Sequence, residues 1–164
     1  MKRFLCFFLC ALLLFSGCNL AAPSGNNVTF YYCKADFGYG DAHSVMAPEP
    51  RELSQNASDL ADTLALYLVG PLDEELSSPF VGLKLLLADL QGEHLQIRLE
   101  NDRGTIPDSA FSLAAACLTM TCLELTDATQ VTIHCANRSL TMSRDNLLLF
   151  DSITSTETEL EEPQ

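Results

Sequence analysis

An uninterrupted apolar run near the N-terminus, Phe4–Phe15, separates a leader from the residues that must form the fold. The run has twelve residues, whereas a helix needs about 20 to cross the hydrocarbon core of a bilayer. Two basic residues precede it, and Ser16 and Gly17 follow it. A basic start, a short apolar stretch and small residues are typical of a secretory signal, which we predict over residues 1–17.

The tripeptide Ser16-Gly17-Cys18 resembles the end of the lipobox of bacterial lipoproteins, although Phe15 stands where that family usually has leucine. The resemblance implies that Cys18 is acylated, with palmitate-type chains, and becomes the new N-terminus on the extracytoplasmic face of the cell membrane. Two acyl chains on one residue are enough for stable anchoring. Residues 18–27 then form the lipidated cysteine and a short tether. A plain secretory signal with an incidental cysteine is the alternative.

The charge of the chain restricts its partners. It contains 9 Lys+Arg and 22 Asp+Glu, giving a net charge of −13. Nucleic acids and anionic lipid headgroups would be repelled by this field, so we expect neither as a direct ligand.

The C-terminal residues 152–164 are rich in Thr and Glu and predict a disordered acidic tail. The run Asp73-Glu74-Glu75 lacks the alternating spacing of a calcium loop, which favours an exposed loop.

Periodicity between the tether and the tail predicts strands and helices in one domain, residues 28–151. Strand patterns cover Val28–Cys33, Ser44–Leu53, Leu83–Asp89, Glu93–Glu100, Val131–Ala136 and Ser139–Ser143. The second is predicted as an edge strand or irregular arm because it contains two prolines. In the fourth, Leu95, Ile97 and Leu99 alternate with polar residues, which predicts a sheet covered on one face.

Two helices separate these strands. The first carries Leu60, Leu64 and Leu68 at helical spacing, with Asn56 as its predicted N-cap and Gly70-Pro71 as its end. The second is predicted to begin at an Asp108 cap and, being apolar on most faces, to be the more buried. The order of elements predicts an α+β two-layer sandwich, with both helices on one face of a mixed or antiparallel sheet.

Several segments in this order resemble the GerMN domain of lipoproteins linked to sporulation and germination. They are Leu66–Pro71, Leu76–Pro79, Gly82–Leu86 and a later helix before Val131-Thr132-Ile133. One departure is Ala136-Asn137-Arg138, where the family tends to place an acidic residue and glycine. The resemblance implies a cell-envelope module that binds other proteins, with no catalysis and no cofactor. It leaves homo-oligomerisation open.

The sequence contains no G-x-S-x-G, phosphate loop or H-E-x-x-H motif, and therefore predicts neither an enzyme nor a metal site. Cys135 and His134 are adjacent on a strand and point to opposite faces, so the histidine cannot activate the thiol. Two other cysteines, Cys117 and Cys122, lie five apart on a predicted helix and are interpreted as small buried residues. A bridge from Cys33 to Cys135 is left open.

The three histidines are the other candidates for function. His43 is predicted in a solvated loop, whereas His94 and His134 are predicted on the outward face of the sheet. That face is either a polar docking surface or an ordinary solvated one. The leading hypothesis is a lipid-anchored scaffold or assembly protein that binds envelope proteins through sheet edges or this face. The alternative is a solute-binding or sensing lipoprotein, for which we expect a cleft lined by several carboxylates.

Overall fold

The computed structural model of the chain describes residues 27–35, 45–53, 59–102 and 104–147. Seven strands and two helices lie in these ranges. In chain order they are β1 Asn27–Lys34, β2 Met46–Glu52, α1 Leu60–Val69, β3 Leu76–Ser77, β4 Lys84–Gln91, β5 His94–Glu100, α2 Asp108–Leu125, β6 Gln130–Cys135 and β7 Arg138–Ser143. The predicted signal peptide, the tether up to residue 26, His43, Asn56 and the acidic tail lie outside the described residues, whereas Asn27, predicted in the tether, begins β1.

These strands form two sheets. The small sheet has the order β2-β1-β3 and is antiparallel, and the large sheet has the order β4-β5-β6-β7. Within the large sheet β5 and β6 are parallel and the other neighbours antiparallel. Parallel neighbours need a long crossover connection, which α2 provides between β5 and β6. The α+β class with mixed and antiparallel sheets is therefore confirmed, whereas the division into two sheets was not predicted.

The edge position of β2 follows from its prolines. Pro48 and Pro50 lie opposite Tyr31 and Thr29 of β1, and both prolines are exposed. Proline has no N–H for a ladder, and it is therefore tolerated where one side of the strand has no neighbour. The predicted edge strand is confirmed. The strand β3 was not predicted, because two residues are too few to show a period.

Helix α1 begins and ends at residues with a clear physical role. The carboxylate of Asp59 accepts a hydrogen bond from the Asp62 N–H at 2.8 Å, so Asp59 is the N-cap. The prediction that Asn56 caps this helix is wrong by one turn. The end at Gly70-Pro71 is confirmed, since Gly70 has φ 114°, a conformation that a side chain would strain.

Helix α2 lies at the centre of the core, packed against β1 of the small sheet and against β6 and β7 of the large one. Its side chains from Phe111 to Thr119 are all buried, as expected of a helix that is apolar or small on every side. The predicted Asp108 cap is wrong, because Pro107 occupies the N-cap position and Asp108 is the first helical residue. Its carboxylate instead lies 3.3 Å from the guanidinium of Arg138.

The large sheet has one buried face, as its alternation predicts. Leu95, Ile97 and Leu99 are almost completely buried, and Arg98 and Glu100 between and beyond them are exposed. The hairpin that joins β6 to β7 turns at positions 136 and 137. There the positive φ falls on Ala136, at 54°, and not on the asparagine that follows it.

Candidate functional site

The outer face of the large sheet brings together the polar side chains that were predicted to point outward. We define this outer face by Asp89, Gln91, His94, Gln96, Arg98, Thr132, His134, Ser139 and Thr141. Residues opposite each other in neighbouring strands share a face, and the register places Arg98 opposite His134. Both histidines that the sequence placed on one sheet face therefore lie on it.

A chain of hydrogen bonds crosses three strands of the outer face. His94 Nε2 lies 2.7 Å from Thr132 Oγ1, which in turn lies 2.8 Å from Thr141 Oγ1. The hydroxyl of Thr132 has one proton, so it donates to one neighbour and accepts from the other. When His94 is protonated it must donate, and the proton of Thr132 then points to Thr141. The chain fixes the orientation of the imidazole ring.

Arg98 and His134 border a shallow pocket of about 270 Å³ on this face. The pocket is lined by Leu86, Arg98, Leu99, Glu100, Asn101, His134 and Ala136. Neither the side chain of Arg98 nor that of His134 makes a hydrogen bond or ion pair with another residue in the described ranges. The carboxylate of Glu100 lies 3.4 Å from the exposed ammonium of Lys84. The pocket therefore offers an uncompensated guanidinium and suits an anionic group such as a carboxylate.

The outer edge of β4 has exposed apolar side chains. It carries Leu86, Leu87 and Leu90, whose exposed fractions are 48%, 39% and 42%. Leu87 lies opposite Arg98 and so belongs to the outer side, whereas Leu90 lies opposite the buried Leu95. Since β4 is the terminal strand of the large sheet, one side of its backbone has no partner strand among the described residues.

A buried ion pair that sequence reasoning missed fastens the small sheet to the end of α1. Glu49 Oε2 accepts hydrogen bonds from the N–H groups of Leu72 at 2.9 Å and Asp73 at 3.0 Å. Arg51 donates to the Gly70 carbonyl at 2.7 Å and also pairs with Glu49. Both charged residues are 8% exposed. Their spacing of two on a strand, which puts both on one face, is the signal that could have found them.

The four described cysteines are all buried thiols, and two of them touch. The sulfur of Cys33 on β1 lies 3.7 Å from that of Cys117 on α2. This contact lowers the pKa of Cys33 and raises that of Cys117. Burial raises the pKa of Cys122 and Cys135, which makes both poor nucleophiles. The bridge from Cys33 to Cys135 that the sequence left open is not the contact that the fold makes.

Cys135 and His134 do point to opposite sides of β6, the thiol inward and the imidazole outward. Within the described ranges no group of three or more His, Cys, Asp or Glu side chains could hold a metal ion. The predicted lipidation site, Cys18, lies outside those ranges.

Comparison with protein-family models, with curated proteins and with solved structures finds no match to this chain. One described helix, α2, is long and apolar enough to cross a membrane. About two thirds of it is buried inside the fold (67%), which is typical of the core helix of a folded domain.

Proposed function

We propose that this chain is a lipid-anchored bacterial envelope protein whose GerMN-like domain binds other proteins. In this role it is a scaffold or assembly factor at the cell surface or in sporulation and germination. The anchor is Cys18, following the lipobox resemblance, and the tether can extend at most about 30 Å at roughly 3.3 Å per residue. The domain then stands close to the extracytoplasmic face of the membrane.

The observation that carries the proposal is the apolar open edge of β4. Soluble proteins usually protect such an edge with charge, proline or a covering element, because its unpaired backbone groups are a template for another strand. Here three leucines are exposed on the edge strand. After the bulge between Leu85 and Leu87, the residues from Leu87 to Gln91 pair regularly with β5. A partner that adds an extended segment would bond to this backbone and cover the leucines.

Photo-crosslinking in intact cells tests this proposal. A photoreactive residue at position 90 is expected to capture an envelope protein, and Leu86→Lys combined with Leu87→Lys, in the chain that carries this residue, is expected to abolish the capture. Leu72→Lys is the matched control, because Leu72 is 78% exposed and lies outside the strand. Capture that survives the double substitution on β4 would contradict the proposed edge.

Membrane fractionation tests the anchor separately. Cys18→Ala is expected to move the chain from the membrane fraction to the soluble fraction, while its folded domain is unchanged. A Cys18→Ala chain that remains in the membrane fraction would contradict lipid anchoring at this residue and would leave the edge result unaffected.

The second candidate function is solute binding or sensing, favoured by the pocket at Arg98 and His134. The positive charge of Arg98 suits an anionic ligand. A cleft for a cationic ligand would need several carboxylates, and Glu100 is the one carboxylate among the residues that line this pocket. Thermal-shift titration with acetate, succinate and a short peptide with a free C-terminus tests it. A saturable shift that Arg98→Ala removes, and that Arg144→Ala retains, would favour this function over the scaffold.

A further inference from the structure

The thiols of Cys33 and Cys117 are brought into contact from positions 84 residues apart in the chain. Cys33 is near the end of β1, and Cys117 is in the middle of α2. Their sulfurs are 3.7 Å apart, and both side chains are at most 2% exposed. We propose that Cys33 and Cys117 form a disulfide bond that ties the small sheet to the core helix. This inference goes beyond the proposed function and does not depend on the partner.

A hydroxyl beside the two thiols also joins β1 to α2. The hydroxyl of Thr121, one turn after Cys117, accepts a hydrogen bond from the Tyr31 N–H at 2.9 Å and donates to the Cys117 carbonyl at 3.0 Å. It therefore joins β1 to the same turn of α2 that carries the thiol. A disulfide bond requires about 2.05 Å between sulfurs, so the two sulfurs, now 3.7 Å apart, must move closer by about 1.7 Å.

The other two described cysteines are poorly placed to compete. Cys122 lies five residues after Cys117 on the same helix, which is about 7.5 Å of axial rise and beyond the span of a bridge. Cys135 is in β6 of the large sheet, whereas Cys33 is in β1 of the small sheet.

The bond forms by thiol–disulfide exchange with a small-molecule or protein disulfide as oxidant. The Cys33 thiolate attacks one sulfur of that disulfide and expels one thiolate, leaving a mixed disulfide on Cys33. The Cys117 thiolate then attacks the Cys33 sulfur and expels the second. Two protein thiols are oxidised to one disulfide, the oxidant is reduced to two thiols, and the two protons of Cys33 and Cys117 end on them. In the exported location that we propose, such oxidants can maintain the bond.

Oxidised glutathione is the probe that tests this proposal on the full chain in detergent. After incubation, acid quenching and alkylation in denaturant, we expect two thiols that become reactive only after reduction. Cys33→Ala and Cys117→Ala should each remove this pair, while the matched changes Cys122→Ala and Cys135→Ala should keep it. The melting temperature should rise on oxidation by on the order of 10 °C in the chains that retain both cysteines.

Peptide mapping assigns the bond without relying on the stability of the variants. Trypsin and Glu-C release residues 104–124, and in Cys122→Ala this peptide has Cys117 as its one cysteine. A linked pair of this peptide with the one that contains Cys33 is the expected result. Thiols that all stay alkylatable, a glutathione adduct on Cys33 that does not close, or a bond between another pair would each overturn the proposal. None of these results bears on the β4 edge.

Discussion

The two sheets use their polar groups in opposite ways. In the small sheet, Glu49 and Arg51 are buried and directed to backbone groups at the end of α1. In the large sheet, Arg98 and His134 lie opposite each other on the outer face, and their side chains make no hydrogen bond or ion pair with the rest of the described chain. One sheet therefore uses charge to hold the fold together, and the other presents it to solvent.

This difference indicates where a ligand or partner could bind at little cost in stability. A buried charged side chain that already bonds to another part of the fold cannot contact a ligand without leaving its partner unpaired. An unpaired buried group lowers the stability of the fold strongly. A group on the outer face loses only water when it is contacted. The comparison therefore separates residues whose substitution should unfold the chain from residues whose substitution should leave the fold intact.

Arg51→Ala is expected to give the largest loss of stability. It leaves the buried carboxylate of Glu49 without its cation and the Gly70 carbonyl without its donor, at a cost of about 3 kcal/mol. Urea unfolding followed by circular dichroism measures this loss. Lys84→Ala is the control, because its ion pair with Glu100 is exposed and is worth about 0.5 kcal/mol or less. Equal losses in the two variants would break the comparison.

The aromatic cluster behind the small sheet should make the fold sensitive to alkali. Tyr32 and Tyr67 stack with ring centroids 4.8 Å apart, and burial raises the pKa of both phenols above the ordinary 10.0. Above pH 10 the unfolded chain loses these protons before the folded chain does. Stability that is fully present below that pH is therefore lost as the pH rises toward the folded pKa values, by about 1.4 kcal/mol per pH unit for each phenol.

Melting curves between pH 8 and pH 11 check the sign. Tyr67→Phe is expected to cost about 1 kcal/mol at pH 8, because its hydroxyl donates to the Tyr31 carbonyl at 3.1 Å. The same change should make the alkaline decline shallower than in the unaltered chain. An unchanged slope above pH 10 would show that this phenol is not buried as described.

Local patterns predicted most elements of this fold, and long-range contacts account for what they missed. The alternation around Leu95 and Ile97 established one buried face, and the prolines of β2 identified an edge strand. Nothing in a strand's own residues says which of two sheets it joins, so the division into small and large sheets was missed. The cap at Asn56 was misplaced because Asp59, in the same stretch, is an equally good capping residue.

The candidate site was predicted only in part, because it too depends on long-range contacts. Alternation placed His94 and His134 on one face, but the alignment of His134 with Arg98 depends on the register of two parallel strands joined through α2. The contact between Cys33 and Cys117 could not be found from spacing, because helical periodicity does not identify the strand that a helical residue faces. Glu49 and Arg51 were predicted on an edge strand. The residues of that strand do not indicate the backbone groups at the end of α1 to which both side chains bond.

Ala136→Gly tests a local weakness in the large sheet and is expected to stabilise the chain. Ala136 has φ 54°, in the left-handed region that favours glycine, so the change should gain about 0.5–1 kcal/mol. Ala88→Gly is the matched control, because Ala88 lies within β4 and has no positive φ. There the greater freedom of the unfolded chain should cost about 0.5–1 kcal/mol. Urea midpoints that move in the same direction for both variants would contradict the described turn.

Arg98→Ala is expected to give the smallest change, within about 0.5 kcal/mol of the unaltered chain in urea unfolding. The same substitution at Arg51 should cost several times more, although both residues are arginines on strands. The difference arises because Arg98 satisfies no described backbone group, so its removal leaves nothing buried and unpaired. A loss above about 1 kcal/mol would mean that the outer face holds the large sheet together. An unchanged stability would show that the fold does not require this arginine, whose side chain can then contact a ligand or a partner.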